Sequence, residues 1–196
     1  MGDKVVTYWE FVDDLIRRAG RLSDRSLRGL YWLLAQGLLA RCPVPAGWLD
    51  TVVTVLAAGQ SAAVTGVSGS QLDEAIWRLR AFPVDEDTPQ YLMSVLTCAN
   101  LSVDLGEVSK PSVFVRHALG PIMSTASLIL YGDVAEPATD EEVDEVFRQP
   151  LVQRAVDFLS EAMAALQANP EPSGELLESL RPGAVALAPP DGAPTV

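Results

Sequence analysis

Two acidic stretches of this 196-residue chain carry the residue types best suited to chemistry. Asp104 and Glu107 fall three residues apart on a predicted helix, with Asn100 four residues earlier, so the three share one face. Carboxylate and amide oxygens of this kind bind divalent cations. Acidic residues that precede a helix are equally explained by the helix dipole, so both interpretations stay open. The residues on this helix are the second of the two acidic stretches. The first comprises Asp85, Glu86 and Asp87, which lie in a loop just before the same helix.

A second candidate combines a thiol with an imidazole. His117 is the only histidine, and Cys98 lies on the preceding predicted helix, so the two could form a thiolate and imidazole pair. A single histidine excludes most hydrolase mechanisms and any histidine-rich metal site. Cys42 and Cys98 are expected instead to be buried as small apolar residues. We therefore assign no catalytic residue, no metal and no cofactor.

The paired acidic stretches resemble the two acidic motifs of helical Mg²⁺-dependent prenyl-diphosphate enzymes. The spacing in the first stretch and the pattern in the second differ from that family, and the chain is shorter. The resemblance implies a small-molecule-binding or metal-assisted helical enzyme that would use residues 85–87 together with Asp104 and Glu107. This enzyme is our alternative to the principal prediction, a protein-binding function, which follows from the charge distribution described next.

The net negative charge is confined to the second part of the chain. Residues 1–82 carry nine Lys and Arg against eight Asp and Glu, whereas residues 83–196 carry five against eighteen, a net charge of −13. Such a surface repels nucleic acid and attracts cations. We expect the second half to bind a basic protein.

The first half holds a basic cluster, which is interrupted by acidic residues. Its charge is too small for nucleic-acid binding, so we expect it to pair with the chain's own carboxylates or with a second copy, giving a possible homodimer through the N-terminal helical hairpin. The cluster comprises Arg17, Arg18, Arg21, Arg25 and Arg28.

Helical periodicity and helix-start signals divide the chain into seven or eight helices, with no strand pattern to compete. The sequence therefore predicts an all-α, single-domain bundle over residues 1–180, with a helix kinked or split near Pro121. Proline, glycine and alanine predict a flexible tail over 181–196. The apolar stretch Val52–Val67 is too short and polar to span a membrane, and the N-terminus lacks an export signal, so we expect a cytoplasmic protein.

One short predicted helix is unusually acidic. Thr139 and Glu142 form a capping box at its start, and Val143, Val146 and Phe147 are its sizeable apolar residues. Because several carboxylates sit three or four residues apart and repel, they predict a partner-binding surface, with residues 85–87 as a second one. We expect replacement of Asp144 and Glu145 to leave folding intact. The carboxylates of this helix are Asp140, Glu141, Glu142, Asp144 and Glu145.

The last quarter of the chain, in which this helix is followed by Pro150-Leu151-Val152-Gln153 and a long amphipathic helix, resembles an uncharacterised bacterial helical family. Small size, acidity and an all-helical pattern are similar to those of bacterial immunity proteins. The resemblance implies an immunity or inhibitor-type protein that neutralises a basic toxin. It assigns no individual site residue.

Overall fold

The computed structural model describes residues 6–67, 72–85, 88–106, 111–132 and 139–190. These residues form nine α-helices and a terminal 3₁₀ turn, without a strand among them. The all-α prediction is confirmed. The helices are α1 (Tyr8–Ala19), α2 (Asp24–Leu39), α3 (Ala46–Thr65), α4 (Leu72–Arg80), α5 (Gln90–Val103), α6 (Pro111–Tyr131), α7 (Asp140–Phe147), α8 (Pro150–Ala168) and α9 (Gly174–Ala184), with the 3₁₀ turn at Val185–Leu187.

The second helix, α2, is the centre of the bundle. Its middle is apolar on every side, so it is buried all round and packs against α3, α5, α8 and α9. Leu30, Tyr31, Trp32 and Leu33 are all at most 1% exposed. A single apolar cluster joins α2 to the other helices, which confirms a one-domain bundle.

The predicted N-terminal hairpin is wrong. Although only four residues separate α1 from α2, α1 packs mainly against α6 and α7 instead of lying along α2. Phe11, Val12 and Leu15 form the buried stripe of α1. Because α2 is already surrounded by other helices, α1 packs its apolar side against helices from the second half of the chain.

The helix containing Pro121 is not split. α6 continues through Pro121 to Tyr131, although the proline has no N–H to donate to the carbonyl of His117. One turn later, the Thr125 hydroxyl donates to the Pro121 carbonyl oxygen at 2.9 Å. Pro121 and Thr125 are both buried, so packing holds the proline-containing turn within the helix.

The prediction of a flexible tail is also wrong for residues 181–190, which pack on the bundle. The helix α9 extends to Ala184, and Ala184, Leu187 and Ala188 are buried against the bundle. Gly37 of α2 allows this approach, since a Cβ there would lie 2.7 Å from the carbonyl carbon of Ala184. Tertiary burial therefore outweighs a composition that is poor for helix formation. The remainder of the predicted tail, 191–196, lies outside the described residues.

Candidate functional site

The acidic helix α7 begins with the predicted capping box. The Thr139 hydroxyl accepts the Glu142 N–H at 3.2 Å, and the Glu142 carboxylate accepts the Thr139 N–H at 3.1 Å. Val146 and Phe147 anchor the helix in the core. The carboxylates of Asp140, Glu141 and Glu145 are consequently on the exposed side.

One carboxylate of α7 helps to hold the fold together. Asp144 Oδ1 accepts the backbone N–H of Tyr8 at 2.7 Å, and Arg148 lies 3.4 Å from its other oxygen. Tyr8 is the first residue of α1, whose opening N–H groups have no partner within their own helix. Asp144 therefore neutralises the positive end of α1, and the expectation that it could be replaced without affecting the fold does not agree with this geometry.

Two aromatic side chains donate hydrogen bonds to exposed carboxylates of α7. Trp9 Nε1 donates to Asp140 Oδ1 at 3.0 Å, and the Tyr131 hydroxyl donates to Glu145 Oε2 at 2.9 Å. Both rings remain accessible, with 53% of Trp9 and 41% of Tyr131 exposed. Desolvation raises the pKa of Tyr131, and the hydrogen bond to Glu145 and the nearby carboxylate charge raise it further. The phenol therefore stays a donor at neutral pH.

Sequence reasoning did not assign Tyr131 to this surface. Trp9 is exposed because the buried positions of α1 are filled by other residues. Tyr131 ends an apolar helix, and nothing in the local pattern indicates that its hydroxyl meets a carboxylate fourteen residues later. We call Trp9, Tyr131, Asp140, Glu141 and Glu145 the α7 face.

The second predicted acidic surface is only partly described. Asp85 is exposed, and its carboxylate accepts a hydrogen bond from the Thr88 hydroxyl at 3.0 Å. Asp104 pairs with Arg80 at 3.0 Å, and the same arginine donates to Asn100. Arg80 therefore already pairs with one of the carboxylates that the alternative enzyme would use for a metal. Glu86, Asp87 and Glu107 lie outside the described residues. Among the residues that are described, no three His, Cys, Asp or Glu side chains are grouped so that they could hold a metal ion.

The histidine and the cysteine are not brought together as a hydrogen-bonded pair. His117 Nδ1 lies 3.0 Å from the hydroxyl of Ser94, one helical turn before Cys98. Burial raises the pKa of the Cys98 thiol, and Cys98 is inaccessible. Burial, followed by the charge of Arg116, lowers the pKa of His117. The imidazole contacts a buried serine and the thiol is buried, so neither Cys98 nor Ser94 is an accessible nucleophile.

Most arginines of the basic cluster donate hydrogen bonds to main-chain carbonyls of the bundle. Arg25 donates to the carbonyls of Ala63 and Val64, and Arg28 donates to that of Val103, so both complement helix C-termini. Arg18 reaches the Ser160 carbonyl. The ion pairs of Arg17 with Asp14 and of Arg25 with Glu171 complete the predicted pairing with the chain's own carboxylates. Arg21 is exposed, and dimerisation through this region stays a prediction.

One described helix is long and apolar enough to cross a membrane by length and composition. It is Val113–Tyr131 of α6, rather than the Val52–Val67 stretch singled out by the sequence, and half of it is buried inside the bundle. Buried Thr125 and Ser127 interrupt its apolar surface. A core helix has the same properties, so α6 is weak evidence for a span and is compatible with a soluble protein.

Comparison with known proteins gives no further assignment. No protein-family model matches the chain, and neither a curated protein nor a solved structure shows a significant match. The functional argument therefore depends on the geometry of this chain alone.

Proposed function

We propose that this protein is an acidic protein-binding module whose partner is a basic protein. The observation that carries the proposal is that three of the five α7 carboxylates lie on the outer side of this helix. Asp140, Glu141 and Glu145 are all exposed there. An enzyme would require acidic groups that converge on an enclosed substrate, whereas an outward-facing set is suited to a macromolecular partner.

The positive charges of the first half do little to shield this surface. Arg25 and Arg28 are held by main-chain carbonyls, and Arg17 is held by Asp14. Two exposed carboxylates without a described partner, Asp157 and Glu161, lie on the next helix, α8. Long-range attraction of a cationic partner is the expected result, as in charge-steered inhibitor complexes.

The more specific form of the proposal is an immunity or inhibitor-type protein that acts in the cytoplasm and neutralises a basic bacterial toxin. Tight inhibitors commonly combine acidic surfaces with fast association. A small, rigid bundle is suited to this task, because little conformational entropy is lost on binding. Stoichiometric loss of the partner's activity would distinguish an inhibitor from a simple binding module.

The test begins with affinity purification from cells that express the protein. The captured partner should be basic, and its association rate should fall at least tenfold between low and physiological ionic strength. A variant with Glu141→Lys and Glu145→Lys should associate more slowly. The matched control carries Glu175→Lys and Glu178→Lys on α9. An association rate that is independent of salt, or an acidic partner, would show that the charge argument is wrong.

A further inference from the structure

The α7 face presents two aromatic rings whose polar atoms are already occupied. The indole N–H of Trp9 is held by Asp140, and the phenol of Tyr131 is held by Glu145. Each hydrogen bond fixes a ring beside a carboxylate. Because the polar atom of each ring is engaged, the part of the ring left to a partner is its carbon skeleton.

The two rings lie on opposite flanks of α7. Asp140 and Glu145 are five residues apart, which corresponds to about 7.5 Å along a helix and a rotation of about 140° around it. Glu141 falls between them on the same exposed side. The helix therefore displays a central carboxylate with one aromatic and carboxylate pair on each flank.

Each flank has the chemistry that recognises a guanidinium group. An arginine side chain stacks on an aromatic face while its N–H groups reach an adjacent carboxylate. The carboxylate already accepts one hydrogen bond from the ring, but its remaining lone pairs can accept from a guanidinium. Lysine offers a point charge without a flat surface, so it uses only part of this arrangement.

We infer that the α7 face is a two-point arginine receptor, in which Trp9 with Asp140 and Tyr131 with Glu145 each bind one arginine side chain of a basic protein. This inference rests on the proposed function and makes it specific. The carboxylates steer the partner towards the protein, and the rings select arginine over lysine. Glu141 adds charge between the two positions.

A second exposed tryptophan provides a control within the same chain. Trp77 on α4 is 70% exposed, and its indole N–H makes no hydrogen bond to the described residues. Its chain neighbours include Arg78 and, three residues away, Arg80. Removing Trp77 should therefore test general loss of exposed aromatic surface without affecting the α7 face.

The experiment uses octa-arginine and octa-lysine peptides, which carry the same charge, as probes of the intact protein. Affinities are measured at low and physiological salt for the natural chain and for Trp9→Ala, Tyr131→Ala and Trp77→Ala. We expect octa-arginine to bind more tightly, and each of the first two substitutions to weaken it about two- to fivefold, as for an exposed cation–π contact. The double Trp9→Ala, Tyr131→Ala variant should lose the preference for arginine. Trp77→Ala should bind like the natural chain.

The outcomes separate this inference from the proposed function. Equal, salt-dependent binding of both peptides that is unaffected by Trp9→Ala and Tyr131→Ala would overturn the arginine receptor and leave charge-driven binding in place. No binding of either peptide at low salt would contradict both. If Trp9→Ala does not fold, the Tyr131→Ala variant tests the arginine receptor alone. Tyr131 is at the exposed end of α6, so its removal should not prevent folding. Movement of the Trp9 indole resonance, with that of Trp77 unchanged, would locate the peptide independently.

Discussion

The carboxylate of Asp144 accepts a hydrogen bond from the backbone N–H of Tyr8, with 2.7 Å between Oδ1 and N. This bond joins two helices through residues that lie 136 positions apart in the sequence. Thr7 and Glu10 satisfy further donors at the same helix start, through a capping box. The acidic helix α7 therefore both stabilises the beginning of the chain and presents the proposed binding surface.

Replacement of Asp144 by alanine should destabilise the fold by about 1–2 kcal/mol, the range for removal of a helix-capping acceptor. The side chain is only 16% exposed, so water does not fully replace it. Urea unfolding followed by circular dichroism measures the effect. Glu141→Ala is the matched control on the same helix and should change stability by less than about 0.5 kcal/mol. Equal effects of the two substitutions would show that Asp144 has no special structural role.

Replacement of Gly37 by alanine should destabilise the protein severely or release the C-terminal segment. A Cβ at this position overlaps the main chain at Ala184, which cannot move aside as a flexible side chain could. Limited proteolysis should cut after α8 in the variant and leave the natural chain intact. Gly47→Ala is the control, since nothing lies within 4 Å of its added Cβ, and it should stabilise α3 by about 0.5–1 kcal/mol. Unchanged stability of Gly37→Ala would rule out the close packing of α2 on Ala184.

Truncation after Arg181 should lower the melting temperature by many degrees. It removes Ala184, Leu187 and Ala188, all of which are buried, and full burial of one leucine contributes about 1.5–3 kcal/mol. Truncation after Pro190 keeps every described contact and is the control. Leu187→Ala should reproduce part of the loss, about 2–5 kcal/mol. Identical melting of both truncated chains would restore the sequence-based expectation of a flexible tail from residue 181.

Acidification should weaken the fold through His117. Its pKa in the folded protein is lowered from the ordinary value of 6.5, so the unfolded chain binds the proton more readily. The stabilising contribution is therefore fully present above pH 6.5 and is lost as the pH falls towards the folded pKa. The His117→Gln variant should lose less stability than the natural chain between pH 7 and pH 5. Parallel pH profiles for the two proteins would contradict this. NMR titration of the single histidine measures its pKa directly.

Local patterns were sufficient for most of the helices. The Thr139 capping box is visible within four residues of sequence and occurs as predicted, and Thr7 and Glu10 form the same arrangement at the start of α1. The apolar residues of α1 and α8 recur at helical spacing, and most of them are buried. These features depend on interactions between residues close in sequence, which a single sequence displays directly.

The sequence by itself determined an all-helical chain with its acidic charge in the second half and a carboxylate-rich helix at residues 140–147. Only the tertiary structure decided that α1 packs on α6 and α7 instead of α2, and that Arg80 forms an ion pair with Asp104. It also decided that residues 181–190 join the core and that Trp9 and Tyr131 flank α7. The physical reason is that each of these outcomes depends on contacts between distant segments. Burial and pairing across such distances leave no periodic signal in the local sequence.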